Sequence, residues 1–266
     1  MTLPAGLLMA APLAPLLWWQ GKRVRRITPV LPEACGARTG RWVSSLASVQ
    51  EWSAGAHDRP LRVLVLGDSS AAGVGAAHQD EALSGQLGVH VRGHLGVCLP
   101  SVVEWTLLAR TGLRTREAHG LLDDLGASRF DVALVALGVN DVTALQRPAA
   151  WVADVRQLVA RLRSEQCVMR VLWSGLPPMH RFPALPQPLR AVLGRHARDL
   201  DAALERHACR DQASLQHVPM PPMSRPEWIA QDGFHPGPQA YAVWGGALAQ
   251  ALMQSALSLQ PGRSAA

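Results

Sequence analysis

From residue 62 onward, short unbroken apolar runs alternate with stretches whose apolar positions recur every three or four residues. Five runs have strand length: 62–67 ("RVLVLG"), 101–109, 131–138 ("DVALVALG"), 168–175 and a weaker one at 213–219. Helical patterns lie at 81–95, 115–125, 148–165, 188–208 and 238–257, the first interrupted by glycines. The stretch 148–165 is the clearest helix. Pro148 stands at its start, and Val152, Val155, Leu158, Val159 and Leu162 form one stripe.

Strands that are apolar on both faces belong in a parallel sheet covered by helices on either side. The pattern therefore predicts an α/β chain, a three-layer α/β/α sandwich around a parallel sheet of about five strands. In the flavodoxin-like order 2-1-3-4-5, strands 1 and 3 adjoin at the point where strand order reverses, and ligands bind there. No internal repeat is evident. The boundaries read as an apolar arm with a basic flank at 1–27, a connecting segment at 28–60, the main domain at 61–258 and a tail at 259–266.

Composition agrees with a folded chain of 266 residues, 48% hydrophobic and 17% charged. The net charge of +6 comes from scattered arginines, Lys22 being the single lysine. No basic stripe is interleaved with aromatics, so nucleic acid is not an expected partner. Cys35, Cys98, Cys167 and Cys209 lack metal-ligand spacing and read as reduced thiols. Neither a cofactor nor a metal is expected.

The N-terminus departs from the pattern. Residues 3–19 carry no charge, and "QGKRVRR" follows at once. The run is near the lower limit for a membrane span, and Pro12 and Pro15 disturb a helix there. Basic residues after the run, not before it, disfavour a cleaved signal. If the run spans, the basic flank places the main domain on the cytoplasmic face of a membrane. If it lies flat, Trp18, Trp19 and the arginines suit an anionic bilayer interface. An apolar arm docked on the domain is the remaining alternative.

Strand 62–67 ends in "GDSSAAGVG". Val74 occupies the place where a phosphate-binding P-loop has its lysine, and neither GxGxxG nor GxSxG is present. "ARTG" (109–112) follows the second strand, "GVND" (138–141) ends the third, and "DGFHP" (232–236) precedes the last helix. Ser69 and Asn140, after strands 1 and 3, meet at the switch point.

Together these blocks resemble the GDSL-type, or SGNH, hydrolases. They occur in the family's order between Gly67 and Pro236. The resemblance implies Ser69 as nucleophile, Asp232 and His235 as its triad partners, and an oxyanion hole from Ser69, Gly112 and Asn140. Ser70 stands where the family name has leucine, which leaves two adjacent serines to distinguish. Gly112 and Asn140 are also the kinds of residue found in plain turns. Asp68, Gly138 and Asp141 read as supporting residues. The chemistry is coherent on its own terms. A serine hydroxyl needs a base, a histidine needs an acceptor to fix its tautomer, and a developing oxyanion needs preorganised N–H donors.

The expected activity is hydrolysis of carboxylic esters, on a small-molecule or lipid ester, through an acyl-enzyme on Ser69. An acyltransferase or a carbohydrate O-deacetylase using the same site is the alternative. Met179, Phe182, Met220, Met223, Trp228 and Phe234 lie in loops expected near the site and are candidates for an apolar acyl pocket.

Overall fold

Runs such as "VALVA" satisfy their backbone polar groups by pairing with neighbouring strands, because both faces are apolar. The structure is a computed structural model that describes residues 11–43, 59–95, 100–222 and 225–259. Its sheet has six strands: β1 Thr39–Val43, β2 Leu61–Gly67, β3 Val102–Ala109, β4 Val132–Ala136, β5 Arg170–Ser174 and β6 Leu215–Val218. The spatial order is β1-β3-β2-β4-β5-β6. β2 to β6 are parallel and take the expected order 2-1-3-4-5. β1 pairs antiparallel with β3, Trp42 opposite Val103. This edge strand lies within the segment read as a mere connection. A short strand with polar residues carries too little periodicity to be seen alone.

The main helices are α1 Ala14–Ile27, α2 Leu83–Arg92, α3 Ala118–Leu122, α4 Val139–Thr143, α5 Pro148–Glu165, α6 Leu189–Ala208 and α7 Pro238–Leu259. The helix expected at 115–125 is one turn of α-helix between two 3-10 turns. In α5 the buried stripe starts at Trp151, not at Val152. Alternation along β2 divides the core. Val63 and Val65 face α2 and α7, whereas Leu64 and Leu66 face α3, α5 and α6.

Residues 1–10, 44–58 and 260–266, and with them much of the arm, the connection and the tail, lie outside the described residues. The described part of the arm is helical and docked along one side. Leu17 and Val24 pack against the core, and no described helix is long and apolar enough to cross a membrane. Cys35, Cys167 and Cys209 are free thiols, and Cys98 lies outside the described residues.

Candidate active site

At the end of β2 the backbone must turn within one residue. A Cβ on Gly67 would come 2.4 Å from Ala71 Cβ and 2.7 Å from Ala136 O, so only glycine fits between the strands here. The following turn is closed by Ala72 N donating to Asp68 O (2.9 Å) and Val74 N to Ser69 O (2.9 Å). Asp68 Oδ1 accepts from Ser70 N at 3.0 Å, within the loop itself. Ser69 heads this turn.

The second loop, before α7, is built around Asp232. Its side chain is fully buried. Oδ1 accepts from the backbone of Phe234 (2.9 Å) and His235 (3.0 Å), and Oδ2 receives His235 Nδ1 at 2.5 Å. Burial alone would raise the Asp232 pKa, but the bonds from His235 and Phe234 prevail and hold it below the usual carboxylate value. A carboxylate on Nδ1 places the imidazole proton there and leaves Nε2 as acceptor. His235 Nε2 lies 2.9 Å from Ser69 Oγ. The two loops thus bring Ser69, His235 and Asp232 into one hydrogen-bonded line, although 166 residues separate the first pair.

The third and fourth blocks close the site from the other side. Gly138, with φ of 131°, starts α4, and a Cβ there would strike Leu176 and Trp151. Asn140 Nδ2 donates to Leu113 O (3.0 Å) and to Asp68 Oδ2 (3.2 Å). Both amide protons therefore have acceptors in this state, one of them on the nucleophile loop. Asp141 is buried and accepts from Thr115 N (3.1 Å) and Thr115 Oγ1 (2.8 Å). It ties the loop after β3 to the start of α4. Gly112 takes φ of +81° in that loop and is exposed. Among the described residues, the backbone N–H groups of Ser69 and Gly112 have no protein acceptor.

Asp68 combines burial with charge. Burial pushes its pKa up to about 6, against the bond from Ser70 and the nearby His235. Asp141 is likewise raised by burial.

Two contributors had no signal in the pattern. Glu33 Oε1 accepts from Thr111 N (2.9 Å) and Thr111 Oγ1 (2.7 Å), next to Gly112. Arg38 pairs with Glu33 and donates to Ala109 O at 2.8 Å. Both precede the main domain as read from the sequence; the pairing of β1 with β3 and the bonds of Ala34 and Cys35 to residues 72–79 bring them here.

The residues proposed for an acyl pocket separate. Phe182, Met220 and Phe234 line a narrow cavity of about 30 Å³ with Asp68, Ser70 and Pro236. Met179 is buried in the core, and Trp228 packs against the α2/α7 side. Met223 lies outside the described residues. Ser174 also lines this cavity, but it is buried, its Oγ accepts from Trp244 Nε1 at 2.9 Å, and among the described residues no histidine bonds to it. Among the described residues, no cluster of three or more His, Cys, Asp or Glu is placed to hold a metal ion.

Comparison with known proteins agrees with the geometry. Residues 65–243 match the model of the GDSL-like Lipase/Acylhydrolase family. A GDSL-like esterase of Mycobacterium tuberculosis, Rv1075c, is 27% identical over 239 residues, covering 86% of this chain and 73% of that protein. Two solved structures share the fold. The psychrotrophic esterase EstA of Pseudoalteromonas sp., in a form inhibited by monoethylphosphonate, superposes with a TM-score of 0.53 at 16% identity, covering 73% of this chain and 97% of that one. Est24, a carbohydrate acetylesterase of Sinorhizobium meliloti, gives 0.54 at 14% identity, covering 73% and 99%.

Proposed function

Since the chain belongs to the GDSL-like lipase/acylhydrolase family and is a carboxylic ester hydrolase, we propose that it acts through an acyl-enzyme on Ser69. The observation that carries this reading is the 2.9 Å approach of His235 Nε2 to Ser69 Oγ, with Asp232 on the opposite ring nitrogen. As Ser69 Oγ attacks the ester carbonyl, its proton passes to His235 Nε2. Asp232 stabilises the imidazolium that results. The carbonyl oxygen becomes an oxyanion facing the N–H groups of Ser69 and Gly112 and the amide of Asn140. For the last of these it replaces Asp68 Oδ2 as acceptor. Collapse of the intermediate breaks the bond to the alcohol, which leaves with the proton from His235. Water then repeats the sequence on the acyl-enzyme and releases the acid.

The EstA structure was inhibited by monoethylphosphonate, and a phosphonate provides the test here. Ser69→Ala is expected to abolish both ester hydrolysis and the covalent adduct seen by intact mass, and Ser70→Ala to retain both. An adduct on Ser70 or Ser174 in the wild-type protein overturns the assignment.

A second reading concerns the acyl group. The cavity next to the Ser69 loop is narrow and lined by Phe182, Met220 and Phe234, which suits a short acyl group better than a long chain. This favours an O-deacetylase, the activity in the name of Est24. Acetyl esters turned over far faster than octanoyl esters would support it, and the reverse order would remove it.

A further inference from the structure

Helix α1 carries chemistry that ester hydrolysis does not use. Leu17, Gln20 and Val24, spaced by three and four residues, are turned inward. Leu17 and Val24 touch the core, and buried Gln20 donates through Nε2 to Gln187 O (2.7 Å) and accepts from Leu189 N through Oε1 (3.1 Å). The helix is therefore fastened in place and does not trail in solvent.

Its outward face is different. Trp18 is 64% exposed and Trp19 53%, and Lys22, Arg23, Arg25 and Arg26 surround them. Lys22 Nζ stands 3.8 Å from the centre of the Trp18 ring, and the Arg23 guanidinium 5.5 Å from that of Trp19. No acidic residue precedes Glu33 in the sequence, and none of the four cations has an ion-pair partner among the described residues. Exposed indoles beside uncompensated cations match a layer that is apolar below and anionic above. The headgroup region of an anionic bilayer has that structure, and cations near it gain from its negative potential.

The inner face leads to the candidate site. Gln20 grips residues 187–189, and in the same segment Ala184 N donates to Gly233 O at 3.0 Å, one residue from Asp232. Phe182 packs edge-on against Phe234 at 5.0 Å. One brace thus joins the basic aromatic helix to the loop that holds His235.

We propose that α1 binds anionic lipid bilayers through Trp18, Trp19 and its four cations, and that this places the candidate site beside esters carried on the membrane. The second half rests on the hydrolase mechanism proposed above; the first does not. The full chain is mixed with vesicles of phosphatidylglycerol and phosphatidylcholine, or of phosphatidylcholine alone, and sedimented. Hydrolysis is followed in parallel on soluble p-nitrophenyl acetate and on a fluorogenic ester carried in the vesicles.

Binding to the phosphatidylglycerol vesicles is expected, weakening as salt is added. Lys22→Gln with Arg26→Gln should lower it by roughly 30-fold. Trp18→Ser with Trp19→Ser should also weaken it. Both variants should keep wild-type rates on the soluble ester and lose rate on the vesicle ester. Equal binding by wild type and variants, or no preference for the anionic vesicles, overturns the proposal. So does a dimer in solution that the Trp variant dissociates while vesicle binding is absent, or capture of an acidic protein in place of lipid. Vesicle binding with no hydrolysis of the soluble ester refutes the catalytic reading and leaves the lipid surface standing.

Discussion

Asp68 and Asn140 show how one hydrogen bond serves two loops. Asn140 is the candidate oxyanion donor, and Asp68 Oδ2 holds its amide 3.2 Å away before substrate arrives. Loss of one such donor costs roughly 10²–10³ in kcat, about 2.7–4 kcal/mol, with little change in KM. Asn140→Ala should show that loss without a lowered melting temperature. Asp68→Asn turns an N–H toward Asn140, so the two amides compete as donors and Asn140 leaves its position. If Asp68 acts through Asn140, the double variant loses no more kcat than Asn140→Ala alone. Additive losses would assign Asp68 an independent role. The same substitution removes a buried carboxyl whose pKa sits near 6, above its unfolded value, so its ionisation works against the fold at neutral pH. Asp68→Asn should therefore lose activity while keeping or raising its melting temperature at neutral pH.

At the scale of elements, the site depends on two loops whose backbones nearly touch. Gly75 takes φ of +100°, and a Cβ there would lie 2.1 Å from Pro236 O. Tyr241 Oη, from the first turns of α7, donates to Val74 O at 2.6 Å beside it. The nucleophile turn and the Asp232–His235 loop are thus held in register by contacts that involve no reacting atom. Gly75→Ala should destabilise the protein by at least about 1 kcal/mol. It should also lower kcat by moving Ser69 from His235. Gly120→Ala is the control, since Gly120 lies within α3 and a Cβ there meets nothing within 4 Å. Thermal unfolding beside steady-state kinetics separates the two; a Gly75→Ala enzyme with wild-type melting and rate would show that the close approach is unimportant.

At the scale of the whole molecule, one buried histidine contributes a pH dependence of stability. Burial lowers the pKa of His119, His180, His196 and His207. His196 is 2% exposed on α6, and the Gln146 backbone and the charge of Asp199 favour its charged form less than burial opposes it. A group whose folded pKa is depressed in this way binds its proton more readily when unfolded. Stability from a neutral His196 is therefore complete above the unfolded value of roughly 6.5 and is lost as pH falls below it. Asp68, raised to about 6, acts in the opposite sense over part of the same range. A difference between two proteins isolates the histidine. The fall in melting temperature from pH 7.5 to 5.5 should be smaller in His196→Leu than in wild type, and an identical fall would exclude His196 from the effect.

What the sequence determined by itself was periodic or contiguous. The parallel strands followed from apolar runs at regular spacing, because a strand buried on both faces leaves an unbroken hydrophobic signature, and their order is that of the flavodoxin-like class to which the pattern points. The candidates Ser69, Asn140, Asp232 and His235 could be named because their short blocks, each at a strand end or before a helix, resemble those of the GDSL-type hydrolases. Gly112 was named on the same basis, and the loop that carries it is indeed joined to Asn140 through Leu113 O. The tertiary structure alone decided the contacts made at long range by residues with no local pattern. Glu33 and Arg38 reach the loop after β3 because β1 adds antiparallel to the sheet edge and Ala34 and Cys35 bond to residues 72–79. Asp68 meets Asn140 across 72 residues, Gly75 meets Pro236, and Gln20 meets Gln187 across 167. A single polar side chain or glycine has no period to read. Its partner is chosen by how separate loops pack, and that choice exists only once the chain is folded.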